Sequence, residues 1–379
     1  MQIQRRNVRE EALACSVTRQ LGRKADIKPS GQEVTSRAFV TISAGNYLKY
    51  VSRWARSLRE AGHQEEIFCL LLDGDKAIFD SDLRITVLTL DQLGSGQILD
   101  SMKHIYNLIE FATAIKPLMI RKLLKDFDEV TFMDPDTLAF QAIPLTRWES
   151  GHVIELTPHR LSPSPRDGLR PYDDVFLRTG IYNLGYISVR QGSEKFLDWW
   201  WERLILGCRS DQFYGLFTDQ KWMNLAPIYF PIQINYSKGM NVALWNFDER
   251  YFDKFPLQPN SEQLIFAHFS GFRLNTTYSK SSNLRVLGNS EAAIAFRALT
   301  DKYLIEVAME STDYEPNQVV FQSSTWINKW RQRQIMSSGP DALGFTSFTS
   351  HETRSSSRSA IAFAAVLHIR SVVKAILTR

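Results

Sequence analysis

Cysteine is scarce in this chain of 379 residues, and long apolar runs are missing altogether. The three cysteines, Cys15, Cys69 and Cys208, are an odd number and form no Cys-X-X-Cys pair. That argues against a disulfide framework or a zinc knuckle and points to a reducing compartment. No apolar stretch approaches the length of a transmembrane helix. The opening Met-Gln-Ile-Gln-Arg-Arg is basic, but no hydrophobic segment follows it, so an ordinary signal peptide is not expected and the expected location is cytoplasmic. A large excess of one sign of charge is also absent. The formal net charge of +4 is too weak to suggest nucleic acid, yet it suits anionic phosphorylated ligands or an acidic membrane surface. The chain is 44% hydrophobic and 23% charged, an ordinary globular composition. Its length allows two or three domains, or one large α/β domain. No internal repeat is evident.

What the chain does have is the run Glu129-Val130-Thr131-Phe132-Met133-Asp134-Pro135-Asp136. A short β-prone apolar segment ends in two carboxylates on either side of a proline. The segment reads as a buried strand, and Pro135 stops it because it donates no ladder hydrogen bond. Side chains two apart on an extended segment point the same way. Asp134 and Asp136 could thus offer oxygens to one hard cation at the carboxyl edge of a sheet, where open α/β sheets bind ligands. A surface turn is the plain alternative, since Asp and Pro are common turn residues.

Around that run the pattern is βαβ. Residues 1–36 are polar and without periodicity, and read as a flexible N-terminal arm. Ala38–Ser43 is a strand, followed by a helix from about Tyr47 to Ala61 and a second strand at Ile67–Leu72. Asp73-Gly74-Asp75 reads as a turn, and Arg84–Val87 as a third short strand. Lys116 and Pro117 lead into a helix over 118–125, which puts Lys116 beside a helix N-terminus suited to anions. A strand is expected at His152–Leu156, and a long loop at 160–176 that could bind or cover a ligand. The segment Thr179 to Val189 carries Asn183, Gly185 and a strand. Gly185 would let backbone come close to a ligand. Ser193 opens a helix containing Trp199-Trp200-Trp201. Asp219 and Gln220 open another, where they could cap the helix or bind a hydroxylated ligand. An apolar strand, Leu264–Phe272, carries His268 and Gly271. A helix over 290–309 ends the expected ordered domain, 37–310. Residues 311–358 read as a Ser/Thr-rich linker, and 359–379 as an amphipathic helix able to lie on a membrane or dock on a partner.

Taken together, the ordered motifs over about residues 37–290 resemble a nucleotide-sugar glycosyltransferase of the GT-A fold, similar to glycosyltransferase family 8. The resemblance rests on the early strand with Asn46-Tyr47, Ala114-Ile115-Lys116-Pro117, the Asp-Pro-Asp run, Asn183-Leu184-Gly185, Asp219-Gln220, and His268-Phe269-Ser270-Gly271. It implies a Rossmann-like α/β domain with a mixed, mostly parallel sheet flanked by helices. It implies Mn²⁺ or Mg²⁺ held by Asp134, Asp136 and His268, with Asp134 also near the donor. It places Thr41, Ser43 and Tyr47 near the nucleotide base, and Lys116 where the family has an arginine beside the donor sugar. Asn183, Gly185, Asp219 and Gln220 would line the sugar pocket, and Gly271 and Lys280 would approach the diphosphate. Phe272-Arg273-Leu274-Asn275 departs from the family's His-X-X-Gly-X-X-Lys-Pro-Trp run, which makes Arg273 a rival to Lys280. The implied activity is hexosyl transfer, with retention, from a nucleoside-diphosphate sugar to a glycan, lipid-linked or polysaccharide acceptor. Nucleic acid is not an expected partner. A nucleotidyltransferase on a similar sheet would show a Gly- and basic-rich loop after the first strand, where Ser43-Ala44-Gly45-Asn46-Tyr47 stands. An inactive transferase-like binding subunit is the non-enzymatic alternative.

Overall fold

The computed structural model describes residues 36–167, 171–250, 263–274, 290–316 and 321. In chain order the elements are β1 (Arg37–Ser43), α1 (Leu48–Glu60), β2 (Glu66–Leu71), β3 (Gly74–Ile78), β4 (Ile85–Thr89), α2 (Gly96–Lys103), α3 (Leu108–Ala114) and α4 (Lys116–Leu123). There follow β5 (Glu129–Met133), β6 (Thr137–Ala139), β7 (Ile154–Pro158), α5 (Asp173–Thr179), β8 (Tyr182–Arg190), α6 (Glu194–Gly207), β9 (Ser210–Asp211) and β10 (Leu216–Phe217). Last come α7 (Ala226–Tyr229), β11 (Ile232–Ile234), β12 (Val242–Ala243), β13 (Phe266–His268), α8 (Glu291–Met309) and β14 (Asp313–Pro316).

The central sheet runs β11-β7-β8-β5-β1-β2-β4. Its pairs are parallel except those made by β8, which is antiparallel to both β5 and β7. The α/β class and the mixed, mostly parallel sheet expected from the sequence are therefore what the chain forms. Every residue of β1 and of β5 is buried, as a strand covered on both faces should be. Alternation sends Ala38, Val40 and Ile42 into a core shared with Met119, Ile120 and Trp200. Phe39 goes to the opposite core with Val51, Trp54 and Leu58 of α1. Helices thus cover both faces. A smaller sheet, β12-β13-β6, lies at the edge that carries the site. It packs with Phe296, Leu299 and Tyr303 of α8 in a third cluster. Among the described residues, no helix is long and apolar enough to cross a membrane.

Several expectations shift. Lys116 is the first residue of α4, not the residue before it. Gly74 and Asp75, expected in a turn with Asp73, instead begin a strand. The 160–176 loop is interrupted by α5, whose first turn carries Asp173 and Asp174, a favourable charge at a helix N-terminus. The strand expected over 264–272 is only three residues long, because β6, its partner, is three residues long. Within the expected linker, Asp313–Pro316 pairs antiparallel with β3. Residues 1–35 of the expected arm, most of the linker, Lys280 and the whole of 359–379 lie outside the described residues.

The β14 pairing has a steric requirement. A Cβ on Gly45 would overlap the Tyr314 ring, and one on Gly74 would lie 2.6 Å from the Glu315 carbonyl oxygen. Gly45→Ala is expected to cost about 1–3 kcal/mol, the range for overpacking. Most of that should return in Gly45→Ala/Tyr314→Ala, a coupling that urea unfolding of the single and double variants measures. Additive losses would show that the ring is not what Gly45 accommodates.

Candidate active site

The site is built where β5 stops. The Asp134 amide N–H donates to the Gly185 carbonyl at 3.0 Å, so the end of β5 is tied to the start of β8. Thr137 closes the Asp-Pro-Asp turn by donating its N–H and its hydroxyl to the Asp134 carbonyl, at 3.2 and 2.8 Å. The chain then enters β6, which pairs with β13 so that Thr137 lies opposite His268. The Phe269 N–H donates to the Asp136 carbonyl at 2.8 Å. This short antiparallel ladder brings an imidazole from far along the chain to the acidic pair.

His268 Nε2 lies 3.1 Å from Asp136 Oδ1 and 3.8 Å from Asp134 Oδ2. One ligand atom from each of the three residues falls within 4.8 Å of the others. Octahedral Mg²⁺ holds oxygens at about 2.1 Å, which sets adjacent ligands about 3 Å apart. Two carboxylates and one imidazole at these separations fit a small divalent cation, with Mn²⁺ better matched to the nitrogen. Asp134, with 28% of its side chain exposed, is the open side of the group. Asp136 and His268 are more enclosed. Burial pulls the His268 imidazolium down, but the charges of Asp136 and Asp134 outweigh it and the ring titrates higher than usual. Burial pushes the Asp134 carboxyl up despite Lys116 and His268 beside it.

Lys116 is buried against this group. Its ammonium donates to the Leu184 carbonyl at 2.9 Å and pairs with Asp219 at 3.0 Å and Asp134 at 3.4 Å. It also sits 4.4 Å from the centre of the Phe132 ring. Burial alone would lower its pKa, yet Asp134 and Asp219 hold it above the usual value. The lysine therefore joins two carboxylates, and its charge is already matched.

The other residues singled out from the sequence fall into two groups. Asn183 and Gly185 lie against His268, while Asp219 pairs with Lys116 and Gln220 faces the neighbouring Leu184. Gln220 donates to the Thr179 carbonyl at 3.0 Å, and its oxygen faces the Leu184 N–H at 3.5 Å. Asp219 accepts from the Thr218 hydroxyl at 3.1 Å. Gly185 has a close neighbour within the protein: a Cβ there would overlap Cε1 and Nδ1 of His268. The second group lies at the end of β1. Thr41 is fully buried and Ser43 nearly so. Tyr47 stacks on Tyr50 at 4.5 Å, and the Arg273 guanidinium lies 5.9 Å from its ring centre. Burial and the nearby Asp136 charge raise the Tyr47 phenol above its ordinary range. Gly271, with φ of 85°, turns the chain on the exposed side.

Sequence reasoning did not single out Asn241, Thr157 or Trp245. Asn241 is fully buried with φ of 56°. It donates to the Thr157 hydroxyl at 2.7 Å and accepts from the Asn183 amide at 3.1 Å. The Trp245 ring meets His268 edge-on at 5.8 Å. The available signal was an asparagine on each side of a short apolar run, because asparagine tolerates the left-handed region.

No protein-family model matches the chain. It is similar to the uncharacterized protein YfnF of Bacillus subtilis (strain 168), 26% identical over 253 residues that span 64% of this chain and 83% of that protein. Among solved structures it is similar to the galactosyltransferase LgtC in complex with donor and acceptor sugar analogs, at 16% identity and a TM-score of 0.40, over 73% of this chain and 98% of that one. It is also similar to the glycosyltransferase GlyE of Streptococcus pneumoniae TIGR4, at 12% identity and 0.40, over 80% and 64% of the two chains. A third similar structure is the bifunctional WbbM, at 12% and 0.41, over 73% and 50%.

Lys116→Met would leave Asp134 and Asp219 repelling each other in a buried setting. The expected loss is about 3–5 kcal/mol at neutral pH. Because its folded pKa is raised, the stabilisation from Lys116 is present at neutral pH and fades as pH climbs through the alkaline folded value. The variant's deficit should also narrow in acid, as Asp134, whose carboxyl is pushed up by burial, takes up a proton and the repulsion is relieved. Urea unfolding at neutral and acidic pH checks both; an equal deficit at each would show that the carboxylates are not what the lysine serves.

Proposed function

We propose that this protein is a divalent-cation-dependent glycosyltransferase of the GT-A type, with residues 37–310 as its catalytic domain. The observation that carries the reading is the meeting of Asp134, Asp136 and His268 at the carboxyl edge of the sheet. The substrate class is a nucleoside-diphosphate sugar, and the acceptor a glycan or a lipid-linked sugar. Transfer is a hexosyl transfer with retention, by resemblance to glycosyltransferase family 8. Peripheral contact with a membrane, through residues 359–379, belongs to the same reading.

Asp134, Asp136 and His268 would hold Mn²⁺ or Mg²⁺, which when bound supplies Lewis-acid stabilisation of charge developing on a diphosphate. The remaining work falls to side chains already in place. Lys116 holds Asp134 and Asp219 in one geometry, so neither carboxylate must be reorganised when substrate arrives. Asp219 and Gln220 lie next to each other at the start of a short helical turn, Gln220–Asn224, where they can orient sugar hydroxyls. Tyr47, half-buried a few residues beyond β1 with one face on Tyr50, offers its other face to a nucleobase. Arg273, exposed beside it, adds positive charge towards the phosphates.

Asp134→Asn and Asp136→Asn should each lower Mn²⁺-dependent turnover of a nucleoside-diphosphate sugar by about a hundredfold or more, with an unchanged far-UV circular dichroism spectrum. Full cation-dependent turnover in both variants would remove the pair from the site. A thermal-shift panel of nucleotide sugars with and without Mn²⁺ identifies the donor, since a ligand of the folded state raises its apparent stability. The expected result is stabilisation by one nucleotide class, larger with the cation present.

A further inference from the structure

The buried amides beside His268 are oriented by the backbone, and that orientation has a chemical consequence. Asn183 and Asn241 are 2% and 0% exposed. Asn183 Oδ1 accepts the Gly185 N–H at 3.0 Å. Its Nδ2 therefore faces the other two neighbours, Asn241 Oδ1 at 3.1 Å and His268 Nδ1 at 3.3 Å. Asn241 in turn spends its Nδ2 on the Thr157 hydroxyl at 2.7 Å and the Asn183 carbonyl at 3.3 Å. Turning the Asn183 amide over would set an N–H₂ against the Gly185 N–H, donor against donor. An amide nitrogen can only donate, so His268 Nδ1 must accept. In the neutral ring the proton then sits on Nε2, the atom 3.1 Å from Asp136 Oδ1.

We propose that Asn183, oriented by Gly185 and Asn241, is a positioning residue that keeps the proton of the neutral His268 ring on Nε2, directed at Asp136, until a cation takes that atom. This rests on the cation site proposed above. For the neutral ring, binding at Nε2 requires the proton there to leave to solvent and one from solvent to arrive at Nδ1, with no net change in charge on the ring. It also requires Asn183 to give up its bond to Nδ1, because its oxygen is committed to Gly185. The amide chain thus opposes cation binding in the free protein. Metal-binding histidines ordinarily have the reverse arrangement, in which the outer N–H donates to an acceptor. Asn183→Asp would create that arrangement, with the Asn241 amide turned over so that its nitrogen faces the new carboxylate and its oxygen accepts from the Thr157 hydroxyl: one Asp oxygen keeps the Gly185 N–H and the other accepts from Nδ1–H.

Two measurements decide it. Nitrogen-15 NMR of the cation-free protein, in alkaline buffer where the ring is neutral, should show His268 protonated on Nε2 in wild type and on Nδ1 in Asn183→Asp. Calorimetric titration with Mn²⁺ alone should find Asn183→Asp about tenfold tighter than wild type. A wild-type ring protonated on Nδ1 overturns the proposal. So does unchanged or weaker affinity in the variant, and so does tighter affinity with the proton still on Nε2, which would reflect added charge only. If the variant does not fold, the wild-type spectrum alone decides. A protein that binds no Mn²⁺ contradicts the cation site itself, while the spectrum still tests the role of Asn183.

Discussion

The approach of one ring to one glycine holds the site together. His268 lies so close to Gly185 that no side chain fits between them, and Gly185 has no positive φ that would otherwise call for glycine. The same residue carries the carbonyl that anchors Asp134 and the N–H that orients Asn183. One glycine on β8 therefore fixes one carboxylate, the imidazole and the amide behind the imidazole. Because β8 is the antiparallel member of the main sheet, its first residues meet the carboxyl end of β5. A parallel strand in that place would bring its opposite end to the site.

Charge is arranged around this contact with little left unpaired. Three carboxylates, a buried lysine and an imidazole share a small volume. The lysine separates Asp219 from Asp134, and the imidazole lies against Asp136 and Asp134. Lone buried charges of this kind would be costly, whereas paired and hydrogen-bonded ones are tolerated. The open flank at Asp134 is the place where further positive charge would be welcome, and the proposed divalent cation would supply it.

Much of this was legible in the residues. Strands β1, β2 and β5 are continuous apolar runs, and a strand buried on both faces needs no other signal. Helix α1 shows in the spacing of Tyr50, Val51, Trp54 and Leu58. The Asp-Pro-Asp turn announces itself, because proline has no N–H to give an interior strand's ladder. The meeting of His268 with that turn was legible only through resemblance to a family, since nothing local in Phe266-Ala267-His268 says which strand it will pair with. Lys116 shows the same limit: an exposed lysine and one buried between two aspartates look alike until the fold is known. Asn241 and Thr157 act through contacts more than eighty residues apart, and β14 forms by pairing with β3 over an even longer separation. Such features belong to the tertiary structure, and local propensity cannot report them.

The account stands or falls on whether Asp134, Asp136 and His268 bind one cation together. Anomalous diffraction from crystals grown with Mn²⁺ tests this most directly. The predicted result is a single strong anomalous peak within bonding distance of an oxygen from each aspartate and of His268 Nε2. A peak elsewhere, or a Mn²⁺ bound by the aspartates with the imidazole turned away, would contradict it.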